Sequence, residues 1–478
     1  MKSQISALAL CALALGGCVS LPDRPPVAPA MPSWTAQAPG QSDKPVVLDW
    51  WTAFQDPALN ALVEDALAHN ADLKAAEANL AAASALVGEV KAHRIPGGSL
   101  DAGVARGRVA GLSQPPFPGA PERYPTQTLA NVGATLGWEV DVFGRISANV
   151  AAARAQQGEV LWLRRQTEAA VAAAVVRAYV EHRYAVQQES LLIERLAVLA
   201  TIATSVEKSQ ALGAASQLDR QAATETLAQA RARLMVLSAE HRNAARRLAV
   251  LSGRAPDPNL PAGRLPITPA VLDAGDPTAM LRRRPDVGAA EQRLAAAVAD
   301  ARIAVTDLYP RVSVGGNIAL SSKPNRLGDD GSLGFSVGPS LSWGLFDMPR
   351  LLKRVEAADA RSQAALAQWQ AVVLTALEEA DGAIETWGAS RDAARQTGLA
   401  AQASDTRLGL MSRREAAGQI SARTRLEAQA QALDARSAAL DARGREAQGW
   451  IAAQLSLGAG WRDAALGVEH HTVAEAAR

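Results

Sequence analysis

The sequence predicts a mainly α-helical chain with a transmembrane β part, laid out twice on one plan. Three observations lead to that class. Of 478 residues only 4% are aromatic and 20% are charged, with Ala, Leu, Gln, Arg and Glu prominent, which is the mix of long helices and coiled coils. Four segments, one of them more weakly, alternate between apolar and small polar residues, each about 10–13 residues, the length of a membrane strand. The chain also matches itself when shifted along its own length. Charge adds an exclusion, because Lys+Arg 49 against Asp+Glu 48 leaves a net +1 and gives no reason to expect a nucleic-acid partner.

Taken in order, residues 1–17 read as a signal peptide. Lys2 precedes an apolar run from Ile5 to Leu15, shorter than the ~20 residues a spanning helix needs. Leu15-Gly16-Gly17-Cys18 looks like a bacterial lipobox, so Cys18 is the expected lipidation site, carrying acyl chains such as palmitate. Cys11 leaves with the signal, and the mature chain then has neither a free thiol nor a disulfide. Such an anchor holds a protein to a membrane without threading it through. Residues 18–47 contain LPDRPPVAPAMPSW, whose prolines favour an extended tether, and folded sequence is expected from near Trp50. No later stretch is apolar for about 20 residues. If the mature chain crosses a bilayer, it does so with strands.

The repeat is specific. Shifting by 214 places Asp72 on Asp286, Ala75-Ala76-Glu77 on Ala289-Ala290-Glu291, Leu80 on Leu294 and Pro96 on Pro310. Shifting by 205 places Leu136-Gly137-Trp138 on Leu341-Ser342-Trp343, Arg145 on Arg350 and Gly213 on Gly418. The offset changes where one strand-loop-strand segment is nine residues longer than its counterpart. The expected division is a first repeat over 48–256, a linker over 257–275, a second repeat over 276–461 and a disordered tail over 462–478.

Each repeat opens on Asp-Pro, at Asp56-Pro57 and Asp276-Pro277, an N-cap followed by a first-turn proline. A helix follows, breaks at Asn70-Ala71-Asp72 or Pro285-Asp286, and resumes until near Pro96 or Pro310. Two strand segments come next, 99–140 in the first repeat and 311–346 in the second. Proline then disappears, with none between Pro125 and Pro256 and none after Pro349. Leu192, Leu196, Leu199, Ala203 and Val206 step by four and three in a coiled-coil seam. The predicted hairpins cover 145–252 and 350–457, reversing at ALGAASQLD and EAAGQIS. Their outward helices would measure roughly 100 Å at ~1.5 Å per residue, too long for a compact domain.

In SLGFSVGPSLSWGLF (332–346), Leu333, Phe335, Val337, Pro339, Leu341, Trp343 and Leu345 share one face of a strand, and Ser and Gly fill the other. TLANVGATLGWEV (128–140) and RVSVGGNIALS (311–321) behave alike, and SLDAGVARGRV (99–109) more weakly. A soluble sandwich would carry Lys and Glu on its wet face. These wet faces carry Ser, Gly, Thr and Asn, and Trp138 and Trp343 occupy equivalent apolar positions near strand ends, as membrane-interface aromatics do. Lipid is the favoured partner of the apolar face. Unpaired edges in hydrocarbon cost several kcal/mol per group, and four strands close no useful barrel. Several chains must share one: two give eight strands with a filled interior, three give twelve with room for an aqueous lumen.

These landmarks resemble the TolC-like outer-membrane efflux channels, in particular the NodT-type lipoprotein branch, over roughly 48–461. WWTAFQDPALNALVEDALAHNADLKAAEANL resembles the family's opening, LGWEVDVFGR its entry to the first hairpin, and RRRPDVGAAEQRL its Arg-Arg-Pro-Asp signature. LSWGLFD and the terminal LSLGAGW match the second copy. The resemblance implies a homotrimer, with a 12-stranded β-barrel in the outer membrane continued by an α-helical barrel across the periplasm. It implies a passive exit duct docked through a periplasmic adaptor onto an inner-membrane pump. Val19 after the lipidated Cys18 fits outer-membrane sorting in similar lipoproteins.

The family closes its tunnel with acidic residues just past the second hairpin tip, and counting from Gly418 those positions fall on Thr424 and Glu427. Thr424 cannot carry charge, which leaves Glu427, flanked by Arg423 and Arg425, as the better gate candidate. The family's Arg-Tyr pair reads Arg414-Glu415 here. Gly213 and Ser216 at the first tip, and Gly418 and Ser421 at the second, become adaptor-docking candidates. Arg282-Arg283-Arg284 is read as favourable charge at the end of a short helix. No catalytic, metal or cofactor site is expected, since the six His show no zinc-protease or zinc-finger spacing and no Gly-rich phosphate loop follows a strand. The alternative function is a lipid-anchored periplasmic coiled-coil scaffold or adaptor with soluble strands.

Overall fold

The computed structural model describes residues 33–107, 126–261 and 263–462. The segment read as a signal peptide, Cys18 and the tail beyond 462 lie outside the described residues, as does 108–125 between the first two long strands.

Eight α-helices are described: α1 Pro57–His69, α2 Ala71–Ala92, α3 Arg145–Ala211, α4 Gln217–Leu251, α5 Pro277–Arg283, α6 Pro285–Thr306, α7 Met348–Ala416 and α8 Ala422–Ser456. The strands are β1 Gln41–Ser42, β2 Gly97–Gly107, β3 Gln127–Val140, β4 Leu272–Asp273, β5 Arg311–Ser322 and β6 Leu333–Ser342. Equivalent elements have nearly equal lengths: α2 and α6 are 22 residues each, α3 and α7 are 67 and 69, and α4 and α8 are 35 each. None of the described helices is long and apolar enough to cross a membrane.

Helix starts follow the sequence chemistry. The Asp56 carboxylate accepts from the N–H groups of Ala58 (2.9 Å) and Leu59. Asp276 does the same for Thr278 (2.9 Å) and Ala279. Each cap answers amides that have no intrahelical partner, and the following proline lacks one of those amides.

One compact unit comprises 81–158 and 292–367. It holds a four-stranded antiparallel sheet in the order β2-β3-β5-β6. Beside the sheet, Ala301, Ala304 and Leu308 of the α6 end pack on Leu351, Val355 and Ala358 of the α7 start. The alternation pattern expected β6 to continue through 346. It stops at Ser342, whose partner is Arg311, because Pro310 lies just beyond that partner and offers no N–H. Leu345–Asp347 forms a 3-10 turn instead.

The second unit comprises 33–80, 159–291 and 368–462 among the described residues. Its core is aromatic: Trp450 meets Trp50 and Phe54 edge to face at 5.6 and 5.1 Å, and Arg165 lies over the rings of Trp162 and Trp461. Within the predicted seam, Leu199 and Val206 are buried and Leu192, Leu196 and Ala203 half-buried. A second stripe of α3, with Leu191, Val198 and Ile202, packs on Leu426, Ala430 and Leu433 of α8.

Packed structure begins earlier than Trp50. Ala36 and Val46 are buried, the Asp381 carboxylate accepts from the Thr35 and Ala36 amides at 2.9 Å, and β1 pairs in parallel with β4. The segment read as tether therefore binds this unit from residue 34 onward, and the linker supplies its strand partner. These contacts are side-chain caps and a two-residue bridge, which leave no periodicity to read.

Candidate functional site

Two features follow from these elements, one in each unit. In the sheet, the register assigns every side chain to a face. Leu100, Ala134, Ile318 and Phe335 form one cross-strand row, and Val132, Leu320 and Leu333 another. The opposite face carries the row Ser99, Thr135, Asn317 and Ser336, where the Ser336 hydroxyl donates to the Asn317 side chain. Alternation thus survives across four strands as one apolar and one small-polar face. Nothing among the described residues covers the apolar one: Leu100, Phe335 and Val337 are 80%, 78% and 77% exposed. A soluble sandwich would bury these residues. Among the described strands, the edges β2 and β6 each have only one neighbour.

Trp138 and Trp343 are anchored alike. Each indole N–H donates at 3.0 Å to a carbonyl past the end of the preceding helix, Arg94 for Trp138 and Leu308 for Trp343. Phe143 stacks on Tyr309 with ring centroids 5.0 Å apart, and Arg145 pairs with Glu139.

The second feature is the pair of hairpin tips. Gly213 and Gly418 adopt φ of +72° and +69°, which only glycine takes at little cost. At each tip a Schellman closure satisfies the last carbonyls: Ala214 N–H donates to Ser209 (2.8 Å) and Gln419 N–H to Arg414 (2.9 Å). Ser216 and Ser421 cap the return helices, accepting from the amides of Asp219 (3.1 Å) and Thr424 (3.2 Å). Ser216 and Asp219 form a reciprocal capping box.

The gate candidates are placed as follows. Arg423 Nε donates to Glu427 at 2.9 Å, both groups part-exposed. Arg425 reaches Glu415 at 2.5 Å. Thr424 shares a hydroxyl contact of 2.9 Å with Ser421. Glu427 therefore has a cationic partner one turn away. An exposed pair of this kind contributes only about 0.3–0.5 kcal/mol.

The arginine triplet does something the sequence did not disclose. Arg283 donates to the carbonyl of Leu457, at 3.0 Å from Nη2. Arg284, only 7% exposed, reaches the carbonyls of Ser456 and Ala376 and the carboxylates of Asp286 and Glu379. The two bind the end of α8 rather than their own helix. In the first repeat Asn70 holds the equivalent place, donating to the carbonyl of Leu251 at 2.9 Å while capping Asp72 and Leu73. The pairs Asn70/Arg284 and Leu251/Ser456 stand at the offsets 214 and 205.

Comparison with known proteins agrees with this geometry. Residues 62–254 and 277–459 match the family model described as outer membrane efflux protein, one match on each repeat, and the chain belongs to that family. It is 31% identical over 388 residues to outer membrane protein OprJ of Pseudomonas aeruginosa, covering 80% of each chain. Nodulation protein T of Rhizobium leguminosarum bv. viciae is 27% identical over 395 residues, covering 80% of this chain and 78% of that one. Among solved structures, the outer-membrane channel OprN superposes with a TM-score of 0.81 at 31% identity, covering 93% of this chain and 100% of that one. The protein is placed in the outer membrane, and its family transports by efflux.

Proposed function

We propose that the chain is the outer-membrane duct of a tripartite efflux system, working as a homotrimer with a periplasmic adaptor and an inner-membrane pump. One observation carries the reading: a sheet that, among the described residues, has an uncovered apolar face and two unpaired edges. Three copies supply twelve strands, close every edge and turn the Ser, Thr, Gly and Asn faces onto an aqueous lumen. The duct is passive and transport energy comes from the pump, so its task is conduction rather than catalysis.

In this reading Cys18 carries the lipid anchor and Trp138 and Trp343 lie at the membrane interface. The tips around Gly213, Ser216, Gly418 and Ser421 meet the adaptor. Arg423, Thr424, Arg425 and Glu427 line the inner mouth. The scaffold alternative needs soluble strands with covered faces, and 80% exposure of Leu100 speaks against it.

The test is the native mass of the detergent-extracted protein together with its conductance in planar bilayers. The expected result is a trimer carrying three lipid anchors that opens discrete conductance steps. A lipidated monomer, stable in detergent and without conductance, would overturn the reading.

A further inference from the structure

The two tips share a backbone but differ in charge. Within ten residues of Gly213 the charged side chains are Glu207, Lys208, Asp219 and Arg220, which cancel. Within ten residues of Gly418 stand Arg413, Arg414, Arg423 and Arg425 against Glu415 and Glu427, a surplus of two positive charges per chain. Both glutamates are engaged, Glu415 by Arg425 and Glu427 by Arg423. Asp219 is taken up by Ser216, whose hydroxyl and amide hold its carboxyl below the usual range, with Arg423 adding to the effect. Arg413 and Arg414 are exposed and have no side-chain partner among the described residues.

The charge left over at the tips is therefore positive. Gly213 and Gly418 each lie two residues past the end of a long helix, α3 and α7. In the duct reading above, the second tip stands at the inner mouth. Three chains bring six uncompensated positive charges to one opening. Low-dielectric walls focus the field of such a ring and raise the local concentration of counter-ions.

We propose that the second hairpin tip, through Arg413 and Arg414, makes the inner mouth selective for anionic solutes, so that cargo carrying carboxylate, phosphate or sulfonate groups is favoured over cationic cargo. This rests on the duct reading above and adds a substrate class to it. The glutamates temper the surplus and do not set its sign.

The test is the reversal potential of the purified trimer in a planar bilayer under a KCl gradient. Wild type is expected to pass chloride in preference to potassium. Arg413→Glu/Arg414→Glu, at exposed unpartnered positions, is expected to reverse the sign of the potential, and Glu427→Gln to strengthen the anion preference. Cation preference in wild type, or a potential that the double substitution leaves unchanged, overturns the selectivity while the duct stands. No conductance from either wild type or Arg425→Ala, which breaks the Glu415 pair, removes the duct reading itself. Native mass confirms that each variant is still trimeric before it is read.

Discussion

His182 lies in α3 with 1% of its surface exposed, and its Nδ1 has no hydrogen-bond partner among the described residues. Its ring stands edge to face 5.9 Å from that of His241, which pairs with Glu189 at 3.2 Å. Burial, and then the charges of Arg183 and His241, push the His182 imidazole down from 6.5 to about 4. Between those two values the unfolded chain takes up a proton that the folded chain refuses, so stability falls as pH drops through that window. The loss is roughly 3 kcal/mol when complete. We predict that the apparent Tm of wild type declines more steeply from pH 7 to 4.5 than that of His182→Leu. Parallel pH profiles for the two proteins would refute the assignment. A lone histidine in an Ala-rich helix gives no sign of this, because the burial and the His241 ring come from residues far along the chain. Arg284 was opaque for the same reason: its partners are drawn from α6, α7 and α8. Asp56 and Asp276 were legible because a cap and its target lie within three residues.

Elements were more readable than single contacts. Strand pairs, long hairpins and tip glycines all follow from local rules of period, proline placement and positive φ. What escaped was where order begins, since Thr35 and Ala36 are fixed by Asp381, and where β6 ends, since that depends on the far side of its ladder. The face assignment of β6 can be checked directly. Phe335→Arg puts a charge on the lipid face, at about 2–4 kcal/mol if near the midplane, and should deplete folded trimer from the outer-membrane fraction. Ser336→Arg, one residue along on the lumen face, should leave the trimer yield close to wild type. Equal yields for the two variants would mean that the faces do not divide between lipid and water.

For the whole molecule, the family match and the hydrogen bonds tell the same story of one unit written twice. The second copy has Arg284 where the first has Asn70, and its tip is basic where the first is neutral. Such divergence is open to a duplicated chain, because one copy can keep the shared backbone while its twin changes charge. The open edges β2 and β6 have a further consequence, which concerns time rather than shape. A single chain has no stable residence in hydrocarbon, since its unpaired edge groups would remain unsatisfied there. Partner-finding and membrane entry must then be one concerted event. The rate of insertion into vesicles should climb more steeply than the first power of chain concentration, and a first-order dependence throughout would show that chains enter alone. At low copy number the chain would linger in the periplasm, held close to the bilayer by little more than the acyl groups expected at Cys18.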